Sequence, residues 1–318
     1  MKRKVHLGFM LLILSLSITF MVSCRDTLIN TQYNYNNADS YTFGEGKIEA
    51  SKIKNIDIDW IDGNVFVDYS EDSNIRFYEA YSKDIKDEFK MHYNVLGNTL
   101  YIKFAKANKN LIYDGGRKNL YIRIPNTITL NTFECNMVSS STTVKALKAD
   151  TIHIHSVSGT IDCYNFESND IKLTSSSGTI YAKNVTSALF SIETTSGKAN
   201  LENIKSSLIN LETTSGNIIS TNLETEKINT ESTSSSIILR FKSSPNNILV
   251  DTISGDTYLY LPHDMKFMLN YDTVSGNFNH SFELFEDESN LYDYSTVDPT
   301  SQIDVMSISG NLDINISN

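Results

Sequence analysis

DTIHIHSVSGTIDCYNFES (150–168), NDIKLTSSSGTIYAKNVTS (169–187), ALFSIETTSGKANLENIKS (188–206), SLINLETTSGNIISTNLET (207–225) and EKINTESTSSSIILRFKSS (226–244) follow one another without a gap, five copies of one nineteen-residue unit. Gly159, Gly178, Gly197, Gly216 and Ser235 anchor them, each preceded by a serine. Looser copies follow at Ser254-Gly255, Ser275-Gly276 and Ser309-Gly310, after steps of 20, 21 and 34 residues; Ser140 and Asp62-Gly63 are upstream relatives. A fixed period near twenty is the signature of a solenoid.

The columns of the repeat define the coil. Seven and five residues before the anchor stand apolar residues such as Ile171 and Leu173 or Ile209 and Leu211; two and four after it stand Ile161 and Cys163, Ile180 and Ala182, Ala199 and Leu201. Spacing of two with β-branched residues dominant is strand periodicity. Each coil is expected to be two short strands bent at Ser-Gly, with a third inward contact from Phe166, Val185, Ile204 or Leu223. Glycine at the bend predicts a positive φ there. Coils stack as parallel strands about 4.8 Å apart, and a single coil cannot bury its own apolar face, so the array needs neighbours and caps. The fold class is therefore all-β, a parallel β-solenoid of nineteen-residue coils with an N-terminal β cap.

Working outward, residues 131–318 read as solenoid repeats with a C-terminal cap, and 47–130 as an N-terminal β cap and first coils, since Ile56, Ile58 and Trp60 alternate and Val65, Val67 and Tyr69 alternate back after Asp62-Gly63-Asn64. Residues 24–46 lack a period and read as a flexible tether. Residues 1–23 carry Lys2, Arg3 and Lys4 before an apolar run from Leu7 to Val22, a secretory signal. No later stretch is long and apolar enough to span a membrane.

The signal ends in Met21-Val22-Ser23-Cys24, which resembles the lipobox of bacterial lipoproteins. The resemblance implies that Cys24 carries a diacylglyceryl group, that the chain is cut before it, and that the protein sits on a membrane of the cell envelope, facing away from the cytoplasm. Arg25, in place of the aspartate that marks inner-membrane retention in many such lipoproteins, points toward the outer membrane or the cell surface. Acyl chains contribute about 0.8 kcal/mol per buried CH₂. Cys135 and Cys163 fall in inward columns and read as buried free thiols.

The net charge is −11; without Lys2, Arg3 and Lys4 the mature chain has 24 basic against 38 acidic residues, a net of −14. That excludes nucleic acid as a partner. One further stretch has a familiar cast. The run from Tyr260-Leu261-Pro262 through a strand to Thr273-Val274-Ser275-Gly276 resembles the bacterial putative-adhesin family of β-strand-repeat domains, and the similarity extends over about 53–316. The resemblance implies a Ser-Gly-punctuated solenoid and supplies no catalytic residues.

One outward column draws attention as a surface. Four before the anchor stand Glu193, Glu212, Glu231, Asp251 and Asp272, acidic on five coils running and predicted to project into solvent. Such a ladder reads first as a solvated face inherited by duplicating one repeat; read functionally, it suits a basic partner or a divalent cation, weak Ca²⁺ being the ion considered. His153 and His155, near Glu134 on the preceding coil, make a metal site conceivable, but two histidines at i, i+2 are common by chance, and no metal or other cofactor is assigned. The column Ser156, Ser175, Thr194, Thr213, Ser232, Thr252 and Thr273 reads as structural, bonding to the bend. The expected function is a lipid-anchored solenoid, an adhesin or envelope scaffold meeting an envelope protein or polysaccharide, and not an enzyme; a carbohydrate-active β-helix enzyme using the acidic ladder is the alternative.

Overall fold

The computed structural model describes residues 33–107, 116–286 and 294–317. The central repeats form continuous bent strands, Ile161–Ser175, Ile180–Thr194, Ala199–Thr213 and Ile218–Ser234. Each pairs in parallel with the next at a constant offset, Ile161↔Ile180, Ile180↔Ala199 and Ala199↔Ile218. One coil has three legs. In the first complete one these are residues 161–164, 166–168 and 170–175, so the anticipated pair of strands with a third contact is a three-sided rung. Within each leg alternate side chains turn inward: Ile161, Cys163, Phe166, Ile171 and Leu173 are all buried. Stacking makes these one continuous core along an open, mostly parallel sheet, the expected β-solenoid.

The corners have distinct chemistry. At the corner between first and second legs stand Asn165, Asn184, Asn203 and Asn222, all left-handed with φ between 55 and 59°. Asparagine tolerates that region better than other side chains with a Cβ. Its amides also form a ladder, Asn184 Nδ2 donating to Asn165 Oδ1 (3.0 Å), Asn203 to Asn184 (2.9 Å) and Asn222 to Asn203 (2.8 Å). The second corner is tied by hydroxyls: Ser206 Oγ donates to the carbonyls of Ala188 and Leu208, and Thr225 Oγ1 to those of Ser207 and Lys227.

The Ser-Gly corner differs from expectation. Gly159, Gly178, Gly197 and Gly216 are not among the residues with positive φ. What requires glycine is close approach: a Cβ on each would lie 1.6–1.9 Å from the carbonyl oxygen of the residue one coil below. The hydroxyl column caps this turn, Gly159 N–H donating to Ser156 Oγ (2.9 Å), Gly178 to Ser175 (2.8 Å), Gly197 to Thr194 (3.0 Å) and Gly216 to Thr213 (2.9 Å). At Ser235, where the step lengthens, the N–H donates instead to the Ser254 carbonyl, and the Ser235 hydroxyl meets that of Ser232.

At both ends, stack order departs from chain order. Asn55–Trp60 lies between Thr99–Lys103 and Leu130–Met137. At the other end Ser301–Ser309 is inserted between Asn247–Ser254 and Phe267–Ser275, with Leu312–Ile316 likewise between Thr257–Leu261 and Phe278–His280. The N-terminal edge is closed by antiparallel strands: Asn74–Tyr81 on Lys118–Pro125, His92–Leu96 on Thr99–Lys103, and Gly46–Glu49 on Asn74–Tyr81. Covering an edge this way removes a template for aggregation. Inside the cap Lys118 is fully buried, its ammonium paired with Glu79 (2.9 Å), donating to the Phe89 and Phe104 carbonyls and packed on the rings of Trp60 and Phe104.

The tether expectation needs correction from Tyr33 onward. Tyr33 Oη accepts from Phe104 N–H (2.9 Å), Tyr35 Oη donates to the Ala105 carbonyl (3.1 Å) and accepts from Ala107 N–H (3.2 Å), and Thr42–Phe43 pairs with His92–Leu96. Aromatic side chains with phenol handles find both apolar cover and partners here, a signal that absence of periodicity conceals. The signal segment and Cys24 lie outside the described residues, as do parts of the loops at 106–118 and 283–298. No helix among the described residues is long and apolar enough to cross a membrane.

Candidate functional site on the third-leg face

The outward face of the third leg carries the acidic column, positioned by the parallel register and by alternation along each strand. Glu193, Glu212, Glu231 and Asp251 are direct partners on successive rungs. Asp272 is not next: Met306 of the inserted rung pairs with Asp251 on one side and Asp272 on the other. The five-residue ladder is therefore four residues, an apolar interruption, then one more acid. The cause is the insertion of 301–316, which chain order does not announce.

The four acids also differ from one another. Glu193 is half-buried and ion-paired with Lys172 at 2.5 Å, a surface pair worth little on its own. The Glu212 carboxyl is raised by burial, then by the neighbouring Glu193 and Glu231 charges. Asp251 departs most from a solvent-projecting column. It is only 2% exposed, and neither carboxylate oxygen has a hydrogen-bond partner. Burial, with the Glu231 and Asp304 charges, pushes its carboxyl up to about 6. A second orphan lies beside it: Asn229, two residues before Glu231 and therefore on the same face, has a buried Oδ1 without a partner, its Nδ2 being used on Asn210 Oδ1 at 2.9 Å.

Further acids stand on this face at the N-terminal end, separated from the column by the rungs of His153 and His155 and of Lys172 and Thr174. Asp57 and Asp59 fall in register with Glu134 and Asn136 because Asn55–Trp60 stacks on Leu130–Met137. Lys103 bonds both aspartates, Asp57 at 2.6 Å, and so partly offsets the charge of this end. Asp304 joins the far end by the same kind of insertion. His153 does pair with Glu134, and His155 with Asn136, but no group of three His, Cys, Asp or Glu side chains among the described residues is placed to hold a metal ion. Burial lowers the His155 imidazole. Cys135 and Cys163 are free and buried, with both thiols pushed up by burial, so neither is a ready nucleophile. Sequence reading missed the asparagine column, although its spacing of nineteen is as regular as that of the glycines.

Three-sided rungs, a hydroxyl-capped glycine corner and an asparagine ladder define a β-solenoid whose distinguishing surface is one acidic side. The chain belongs to the Toastrack DUF4097 family, which it matches over residues 53–315. Among solved structures it is similar to a putative adhesin from Bacteroides fragilis, at 16% identity and TM-score 0.41 over 86% of this chain and 97% of that one. It is also similar to a putative cell adhesion protein from Clostridium sporogenes, at 11% identity and TM-score 0.24 over 86% and 99% of the two chains. No curated protein matches it.

Proposed function

We propose that this Toastrack protein is lipid-anchored through Cys24 in the cell envelope and works as an adhesin or scaffold, presenting its third-leg face to a cationic partner, whether an envelope protein or a cation-bridged polysaccharide. Residues 1–23 would be the signal, 24–32 the connection to the anchor, and Tyr33 onward the presented body. The observation that carries this reading is the third-leg face itself: acids in register on successive rungs, which hold one length from 161 to 238, on a continuous core. A rigid face with an excess of one charge sign selects partners by complementarity and speeds encounter.

The test is retention of envelope components by the purified protein, compared with a Glu212→Gln, Glu231→Gln variant. Salt-sensitive capture that the variant loses supports the reading; equal capture by both overturns the role of the face. Anchoring is tested separately: Cys24→Ser should leave the melting profile unchanged but move the protein out of the detergent phase on partitioning.

A carbohydrate-active reading has one observation in its favour, a carboxyl held near 6 beside an acidic neighbour, the arrangement that acid and base pairs use. The 2% exposure of Asp251 weighs against contact with a polysaccharide chain and so favours presentation as the reading.

A further inference from the structure

From the orphaned oxygens on the third-leg face we infer a site for a hard divalent cation, formed by Asn229, Glu231 and Asp251. The inference deepens the reading of this face as the functional one and rests on it for its biological meaning, but its chemistry stands alone.

Glu231 and Asp251 are paired residues of adjacent parallel strands, so their side chains leave the sheet side by side. Asn229 leaves the same face from the strand of Glu231. Both Asp251 oxygens and Asn229 Oδ1 are buried and lack hydrogen-bond partners. Buried polar atoms are nearly always satisfied, and each exception asks for an explanation such as an ion. Other buried oxygens here also lack partners, but most are single hydroxyls that can rotate; Asp251 is a carboxylate with both oxygens open, and Asn229 stands diagonally from it. Among the described residues no cationic side chain is paired with them: Lys172 is engaged with Glu193, and the outward residue opposite Asn229 on the next rung is Leu249. Asp304 adds negative potential from the rung beyond.

The donor set specifies the ion. Carboxylate and amide oxygens with no sulfur or imidazole suit Ca²⁺ or Mg²⁺, which accept Asp, Glu and Asn carbonyl oxygens and complete their shells with water. Only two of the three ligands are acids, so the site is compatible with the absence of any three-member His, Cys, Asp and Glu cluster among the described residues. Met306 pairs with Asp251 from the inserted rung, and its unbranched thioether can yield to let a hydrated ion in. Because Asn229 and Glu231 lie on one strand and Asp251 on the next, the ion would tie these two adjacent rungs together, beside the inserted rung that carries Met306 and Asp304.

The experiment is thermal unfolding of the full purified chain with Ca²⁺ or Mg²⁺ at millimolar concentration, against NaCl at equal ionic strength. Wild type should gain about 2–4 °C with at least one divalent ion over the sodium control. Asp251→Asn should melt higher than wild type without divalent ions, since it removes a buried charge, and should show no divalent increment. Glu193→Gln, whose residue is held by Lys172, should keep the increment. If Asp251→Asn does not fold, Glu231→Gln takes its place with the same expectation. No divalent-specific gain in wild type, or an equal gain in Asp251→Asn, overturns the site. Since no partner is present, that failure is distinct from failure of the capture experiment, which can still succeed with a basic protein alone.

Discussion

The middle of this solenoid and its two ends solve the same problem differently. Between Ile161 and Thr213 every strand finds its partner nineteen residues on, and side-chain columns, amide ladder and glycine corner repeat with it. At the ends, Asn55–Trp60 and Ser301–Ser309 are inserted between strands from other parts of the chain. Repeats need only nearest neighbours, whereas an end must leave no long unpaired edge. The middle is thus held by repetition of small contacts, and the N-terminal end by singular ones, with Lys118 and Glu79 at their centre.

The sharpest way to break the contrast is a charge in a middle column. Ile209 is fully buried and Asn210 faces out, accepting from Asn229. Ile209→Asp should cost more than about 4 kcal/mol by burying an unpaired charge, while Asn210→Asp, which keeps an acceptor for Asn229, should stay within about 1 kcal/mol. Equal denaturant midpoints for the two would refute the register.

At the N-terminal end, Lys118→Met should cost about 3–5 kcal/mol because it strands the buried Glu79 carboxylate. Adding Glu79→Gln should recover much of that loss. Hydrogen exchange would localise the damage: the cap strands should lose protection while 180–213 keeps it. A uniform loss along the stack would show that middle and end are one cooperative unit.

The junction of the two regions is read by pH. The Asp251 carboxyl is raised from 3.8 to about 6 in the fold, by burial and by Glu231 and Asp304, so the folded state binds the proton more tightly than the unfolded state does. Its penalty is absent below about pH 4, grows as pH rises to about 6, and is fully present above, on the order of 2–3 kcal/mol. In the absence of divalent ions, wild type should therefore lose stability relative to Asp251→Asn across that window. Parallel pH profiles would show that the carboxyl is not buried in solution.

The smallest effect separates two reasons for glycine. Gly197→Ala places a Cβ 1.9 Å from the Gly178 carbonyl oxygen, so backbone must move, at about 1–3 kcal/mol. Gly97 has φ of 61° but open space around it, and Gly97→Ala should cost about 1 kcal/mol of backbone strain. A larger loss at Gly97 would mean that stacking distance is not what the repeat glycines serve.

Much of this was legible in the residues. Ile171 and Leu173, or Ile209 and Leu211, announce the inward columns by spacing alone, and Ser175 or Thr213 before each glycine foretells the cap on the turn. The asparagine corner was equally legible, since Asn165 to Asn222 recur at the same interval. The extent of the acidic site was not. Asp304 joins it through an insertion, Asp272 is separated from it by one, Asp57 and Asp59 share its face only beyond the rungs of His153 and Lys172, and Tyr33 and Tyr35 dock without any periodic sign.

The amino-acid sequence by itself determined the rung, because each residue's inward or outward direction and each corner depend on neighbours within nineteen positions. Tertiary structure alone decided the order of the outermost rungs, and with it the burial of Asp251 and the company it keeps. Parallel pairing is satisfied by any rung of the right length and alternation. Which rung docks where is therefore settled by how the ends close their edges, a contest between distant segments that no local pattern records.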